Sequence, residues 1–386
     1  MKVDPVYFDH AATTPLDPRV LEAMMPFLTE IQGNPSSVHG AGRRARHAVE
    51  SAREEVADLL GAEPSEIVFT SGGTEADNTA LRGVVRAASL PVVTSAAEHE
   101  AVLRTAERLR DDGHPVTILR PSDDGSVTVS DVERAMNGQP ALVSVMHANN
   151  EVGTLSPVRA LADACHAAGG YLHSDAVQTA GVLPLDVDAL GVDLLTISAH
   201  KFYGPKGVGV LYVRAGTPFE PVQRGGAQER GRRGGTENVA AIVGLAHAFR
   251  LAVEEAEERR AHLAALRSRL IAGLRARLGY DLVLNSPLDP DAAVPHVVSI
   301  SFPPRDGRPV DGEMLLLNMD MEGVLVSAGS ACTSGALEPS HVLLAMGRDR
   351  ATAAATIRFS PGKDTRESDV DFVVDALERV YRRMTR

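Results

Sequence analysis

The stretch Ser198-Ala-His-Lys-Phe-Tyr-Gly-Pro-Lys-Gly207 places an amine, Lys201, between two apolar runs, Val192–Ile197 and Val208–Val213. Both runs have the length and composition of buried strands. A lysine held in a partly desolvated pocket is an amine that can join covalently to an aldehyde. That chemistry suits pyridoxal phosphate (PLP), a cofactor that needs an amine to hold it. The same stretch also reads as a surface turn with a solvated lysine, so the decision rests on other groups.

Several other stretches carry suitable chemistry. Ser71-Gly-Gly-Thr74 lies between a strand-like run and a helical one. Backbone N–H groups at a helix start bind phosphate, and glycines let it approach; Thr74 adds a hydroxyl. The turn is also compatible with a plain tight connection, and no Gly-Lys-Ser/Thr follows to make it a Walker loop. His99 follows the run Val92–Thr94, where an imidazole can stack on a flat ring and move a proton, or simply start a helix. Asp175 follows the run Gly170–His173. A carboxylate there can keep a pyridine nitrogen protonated, or serve as a helix N-cap. Gln178 and Asn150 are polar groups near those strand ends that can reach a ring oxygen or a substrate. Gly225–Asn238 is a basic, glycine-rich segment that offers Thr236 to a phosphate, or is a solvated loop. Cys332 sits among small residues in Ser327–Gly335, where a thiol is exposed and reactive. Cys165 sits in a helical pattern and reads as a packed thiol. Arg358, charged within the apolar run Ala354–Phe359, either pairs with an acid or grips a carboxylate.

The elements that must position these groups follow a βαβ rhythm. Asp17 and Pro18 read as N-cap and first position of a helix to Thr29, and a second helix runs from about Gly42 to Leu60. Strands are expected at Glu66–Thr70, Pro91–Thr94, Val116–Leu119, Ala141–Met146 and Gly170–His173, mostly with helices between, which predicts a largely parallel sheet. Residues 238–278 read as one long helix, or two with a kink near Gly273. The C-terminal third reads as a small α+β unit: strands at His296–Phe302, Val324–Ser327 and Ala354–Phe359, helices at Asp311–Met319 and Asp369–Met384. The N-terminal strand is expected to pack near it.

Composition narrows the classes. The 386 residues are 44% hydrophobic and 23% charged, ordinary for a globular protein with room for two domains. A net charge of −12 argues against nonspecific nucleic-acid binding. Two cysteines make neither a disulfide framework nor a metal cluster, so no metal site is expected. The N-terminus lacks signal-peptide features, and no apolar run reaches a membrane span's length. A cytoplasmic setting is the expectation.

Read together, His10–Pro15, Gly33–His39, Phe69–Ala76, Met146–Gly153, His173–Gln178, His200–Gly207, Gly235–Asn238 and Gly329–Gly335 resemble the cysteine desulfurases. These lie within the class V aminotransferase group of fold-type I PLP enzymes. The resemblance implies an α/β fold with a large PLP-binding domain, residues 15–255, built on a mostly parallel seven-stranded sheet. A small α+β domain, residues 256–386 with 1–14, would carry the cysteine loop. Lys201 would hold the cofactor, His99 stack on it, and Asp175 pair with its ring nitrogen. Gln178 and Asn150 would lie near ring oxygen and substrate; Gly73, Thr74, Ser198 and His200 would bind phosphate. Thr236 would reach the partner subunit's phosphate, which implies a homodimer. Arg358 and Asn34 would hold the substrate carboxylate. The implied reaction turns L-cysteine into L-alanine, with the sulfur carried as a persulfide on Cys332. A protein acceptor would then take it, such as an iron–sulfur scaffold or a tRNA thiolation enzyme, with no direct nucleic-acid or membrane binding. The sequence departs from the family pattern at Ala199, often glycine, and Ala328, often serine; neither removes a reacting group. Rival readings are a class V aminotransferase, which needs no Cys332, a selenocysteine lyase, or a sulfur relay without catalysis.

Overall fold

The computed structural model describes residues 5–329 and 338–385. Strand β1 (Val6–Tyr7) leads into helices α1 (Pro18–Thr29) and α2 (Gly40–Leu60). Asp17 caps α1 by accepting the Arg19 N–H, with proline at the first helical position. Gly61 ends α2 in the left-handed conformation. Strands and helices then alternate: β2 (Ile67–Thr70), α3 (Gly73–Ala88), β3 (Val92–Ser95), α4 (Glu100–Asp111), β4 (Val116–Leu119), α5 (Val129–Met136), β5 (Leu142–Ser144), α6 (Val158–Ala167), β6 (Tyr171–Asp175), the single turn α7 (Val187–Leu190), β7 (Leu194–Ser198) and β8 (Gly209–Val213).

These strands form a seven-stranded sheet in the order β2-β8-β7-β6-β5-β3-β4. β8 runs antiparallel to both its neighbours, and the other pairs are parallel. The sheet is covered on both faces, and the period-two alternation of each strand sorts its residues between them. Ile67, Phe69, Val93, Val143, Leu195 and Ile197 pack on the side of α1, α2, α6 and α8. Val68, Val92, Leu142, Leu194 and Leu211 pack under α3 and α4.

Helices α8 (Val239–Glu254) and α9 (Ala256–Leu278) follow. The predicted kink at Gly273 is not there. The chain breaks at Glu255 (φ −97°, ψ 4°), whose carboxylate binds Arg19 at 2.7 Å and Arg259 at 2.6 Å. Gly273 lies inside α9, where a Cβ would sit 3.0 Å from Val374 Cγ2, so this glycine serves close helix packing rather than bending. The remainder comprises β9 (Val283–Leu284), β10 (Val298–Ser301), α10 (Gly312–Met321), β11 (Val324–Leu325), α11 (His341–Ala345), α12 (Arg350–Ala354), β12 (Thr356–Phe359) and α13 (Glu367–Met384). An antiparallel sheet β12-β10-β9 packs with α9, α10 and α13 around Phe302, Leu315, Ile357, Phe359 and Leu377. The N-terminus joins this second core: β1 pairs in parallel with β11, and Phe8 is fully buried there. The predicted strands Ala141–Met146 and His296–Phe302 overrun β5 and β10 by three residues each, Val116–Leu119 coincides with β4, and Gly170–His173 stops two residues short of the end of β6. Ala354 belongs to α12, not to the following strand.

Candidate active site

The C-terminal ends of β3, β5, β6 and β7 open into a cavity of about 540 Å³. Its lining includes Gly73, Thr74, His99, Asn150, Asp175, Gln178, Ser198, His200, Lys201 and Arg358. This is the edge of an open α/β sheet where ligands bind. Asn34 and Thr236, also expected at the site, are both exposed and do not line the cavity. Asn34 Oδ1 instead accepts the Ser36 N–H in a local turn.

Each side chain is placed by its element. β7 ends at Ser198, and a tight 3₁₀ turn, Ala199–Lys201, turns Lys201 back over the sheet edge. Lys201 Nζ donates to the carbonyls of Ala11 (2.6 Å) and Ala12 (2.8 Å) from the N-terminal segment. Burial, and then the nearby Arg358 guanidinium, push its pKa down from 10.5 to about 8; Asp175 and Asp9 oppose this. The lysine is therefore partly neutral near physiological pH, the state in which an amine is nucleophilic.

Asp175 is the last residue of β6 rather than a residue beyond it, and its Oδ1 accepts the Val177 N–H at 2.9 Å. Burial raises its pKa; the His99 ring, the Val177 N–H and Lys201 hold it back. His99 starts a helix and also faces the cavity. Its Nδ1 accepts the Ala101 N–H as N-cap of α4, and the residue lines the cavity. Burial lowers its pKa. Gln178 Nε2 donates to Ala11 O at 3.0 Å, and its Oε1 faces His296 Nε2 at 3.3 Å, which fixes the amide's orientation.

The turn Ser71–Gly72 leads into α3. Gly72 has φ 150°, a conformation that favours glycine. The first N–H groups of a helix have no partner inside it, so Gly73 and Thr74 present donors to the cavity. His200, whose Nδ1 lies 3.1 Å from Thr13 Oγ1, is pushed by burial to about 4 and is neutral.

Arg358, on β12, enters from the second core. It pairs with Asp9 at 2.9 Å and donates to Asn150 O at 2.7 Å and Ser327 Oγ at 3.0 Å. It thus pairs with an acid, and its buried Nε has no partner among the described residues. Asn150 Oδ1 is likewise buried without one among those residues. An unmatched cationic donor and an unmatched acceptor beside the cavity suit a ligand with a carboxylate and an N–H or O–H group. With Lys201, Asp175 and the α3 start, the donor set fits PLP and an amino acid.

Cys332 lies outside the described residues. Cys165 is buried in α6, where burial pushes its thiol up to about 12 and makes it inert. Sequence reasoning missed Asp9, Ala11, Ala12, Asp77 and Ser327. Ala11 and Ala12 act through backbone carbonyls, which no residue type advertises. Asp77 did leave a signal, a lone acid on the apolar face of a helix.

The chain matches the Aminotransferase class-V family over residues 6–373. It is 46% identical over 382 residues to "Cysteine desulfurase IscS" of Dictyoglomus turgidum, covering 98% of this chain and 95% of that one. Among solved structures, a "NIFS-LIKE PROTEIN" superposes with a TM-score of 0.89 at 40% identity, covering 98% of this chain and 99% of the other. "SspA in complex with cysteine" superposes with a TM-score of 0.79 at 36% identity, covering 92% and 98%. A lysine on a sheet edge, a match along nearly the whole chain and close superposition lead to one conclusion: this chain belongs to the class-V aminotransferase family.

Proposed function

We propose that the chain is a PLP-dependent cysteine desulfurase that converts L-cysteine to L-alanine and carries the sulfur as a persulfide on Cys332. The observation that carries this reading is the buried Lys201 amine on a cavity shared with Asp175, His99 and Arg358. When bound, PLP supplies an electron sink for the bonds at the substrate's Cα and Cβ. Lys201 Nζ holds the cofactor and, once released, takes and returns the proton at Cα; a pKa near 8 suits both directions. Asp175 holds the proton on the ring nitrogen, and His99 covers the ring face and moves protons. Gly73, Thr74, Ser198 and His200 bind the phosphate, and Gln178 and Asn150 orient ring oxygen and substrate. Arg358 Nε binds the substrate carboxylate, assisted by Asn34 once substrate is in place. The Cys332 thiolate then attacks the substrate sulfur. An S–S bond forms as the C–S bond breaks, and the carbon fragment takes up a proton to become alanine.

We further infer a homodimer in which Thr236 reaches the partner subunit's phosphate. Its exposure outside its own chain's cavity supports this. The chain works as two units, 15–255 and 256–386 with 1–14. The persulfide goes to a protein acceptor such as an iron–sulfur scaffold or a tRNA thiolation enzyme in the cytoplasm. Among the described residues, no helix is long and apolar enough to cross a membrane.

The test compares the protein with its Cys332→Ala variant. Both should show a visible PLP band, and only the unchanged protein should release sulfide and alanine from L-cysteine with a reductant. A fully active Cys332→Ala protein overturns the persulfide route, and absence of the band overturns the cofactor assignment.

A further inference from the structure

Below the cavity the side of the sheet under α3 changes character. Toward their N-terminal ends the strands present apolar residues, Leu142 on β5 and Leu194 on β7. Two residues further on, the same face carries Ser144 and Thr196, and β6 contributes His173 and Asp175. Asp77 comes down on this polar patch from α3, and among that helix's buried residues it alone is charged. It is 1% exposed, lines the cavity, and among the described residues has no hydrogen-bond partner at Oδ1.

The patch is connected. Ser144 Oγ lies 2.8 Å from His173 Nδ1, and Thr196 Oγ1 lies 3.1 Å from His173 Nε2. The Thr196 hydroxyl also bonds the Asp77 carboxyl, and Asp77 Oδ1 stands 3.6 Å from His173 Nε2. Burial pushes His173 down to about 3, so its ring is neutral, with one nitrogen donating and the other accepting. The chain Ser144–His173–Thr196–Asp77 can thus point either way, and one proton on Asp77 sets its direction.

Two carboxyl groups, Asp77 and Asp175, share this dry floor. Asp175 faces Lys201 and His99 and accepts a backbone N–H. Asp77 has only the Thr196 hydroxyl to set against burial and the Asp175 charge, which raise its pKa. Around it stand Asp175 and neutral His173 on β6, the Glu98 carboxyl from the turn before α4, and only hydroxyls from β5 and β7. Like charges this close do not both ionise.

We propose that Asp77 is a positioning residue: it carries a proton at the head of the Ser144–His173–Thr196 chain and so leaves Asp175 as the anion that faces the cofactor's ring nitrogen. With that proton, Asp77 donates to Thr196 Oγ1, Thr196 to His173 Nε2, and His173 Nδ1–H to Ser144 Oγ. The hydrogen bonds then run in one direction, and the charge on the floor is confined to the residue that can use it. Its role toward the cofactor rests on the PLP reading above; the proton on Asp77 can be tested without cofactor.

Asp77→Asn preserves shape, neutrality and the donor to Thr196. Unfolding of the full chain without PLP is followed from pH 5 to pH 7. A protonated Asp77 is released into an ionised state on unfolding. The unfolding constant of the unchanged protein should therefore rise about tenfold more per pH unit than that of Asp77→Asn. Parallel pH profiles would mean that Asp77 is ionised in the fold, and would overturn the proposal. Should Asp77→Asn fail to fold, the infrared spectrum of the unchanged protein with carboxyl-labelled aspartate decides. A protonated carboxyl band persisting at pH 7 supports the proposal, and its absence overturns it. In the PLP-loaded enzyme, Asp77→Asn should keep the pH midpoint of the visible band within about 0.3 of a unit, because no charge is lost. A shift of about a full unit would mean an anion had been removed. If no visible band forms at all, the cofactor reading fails, while the unfolding and infrared results still report on Asp77.

Discussion

Two buried ionic clusters in the sheet-bearing part of the molecule are built oppositely. In the first, Arg53 of α2 grips Glu229 with two hydrogen bonds of 2.8 and 2.9 Å. Arg53 also donates to Ile67 O and lies over the Phe69 ring, while Glu229 accepts the Phe69 N–H. Every strong donor is matched, which holds Glu229 and Arg230 at left-handed φ values of 47° and 55°. In the second, around Lys201, buried polar atoms that include Asp77 Oδ1, Asn150 Oδ1 and Arg358 Nε have no partner among the described residues. Both clusters are largely buried, and both carry charge. Complete pairing in the first turns charge into a fixed loop. Incomplete pairing in the second leaves Asn150 and Arg358 with interactions that a ligand can complete.

The sharpest contrast comes from removing one charged group from each cluster. Lys201→Ala should lower sulfide production by roughly a thousandfold or more while leaving the fold intact by circular dichroism. Activity within tenfold of the unchanged protein would break the contrast. Glu229→Gln should do the reverse. It leaves a buried, uncompensated guanidinium and should cost about 3 kcal/mol in urea unfolding, with turnover per folded molecule kept within a few-fold. Replacing both Arg53 and Glu229 with methionine should recover most of that loss.

A pH experiment sharpens the same point. Lys201 titrates at about 8 in the fold against an ordinary 10.5, so between these values the unfolded chain binds more protons. The stability of the cofactor-free protein should rise with pH across that window, by about 3 kcal/mol at most. The rise should be missing in Lys201→Met; equal slopes would place Lys201 in water. The smallest effect separates the two thiols. At pH 8 a maleimide should label Cys332 and leave Cys165 unmodified until the protein unfolds, because burial holds Cys165 near 12.

Much of this was legible in the linear sequence because it is local. Asp17-Pro18 announced a helix start, Ser71–Thr74 a turn opening a helix, and the βαβ rhythm of apolar runs a largely parallel sheet. Lys201, Asp175 and His99 stood out because each follows a strand-like run, and in a parallel sheet all such positions share one edge. The kink predicted at Gly273 failed because a glycine signals either flexibility or close approach, and only Val374 across the interface chooses between them.

What the sequence determined by itself, then, were the residue types, their order at strand ends and the family pattern they compose. Tertiary structure alone decided the rest. It brought Ala11 and Ala12 carbonyls onto Lys201 from 190 and 189 residues away. It set Arg358 against Asp9 and laid Asp77 over His173 and Asp175. The physical reason is common to all three. Protonation and hydrogen-bond need depend on what excludes water and which charges stand within a few ångströms, and neither is a property of neighbours along the chain.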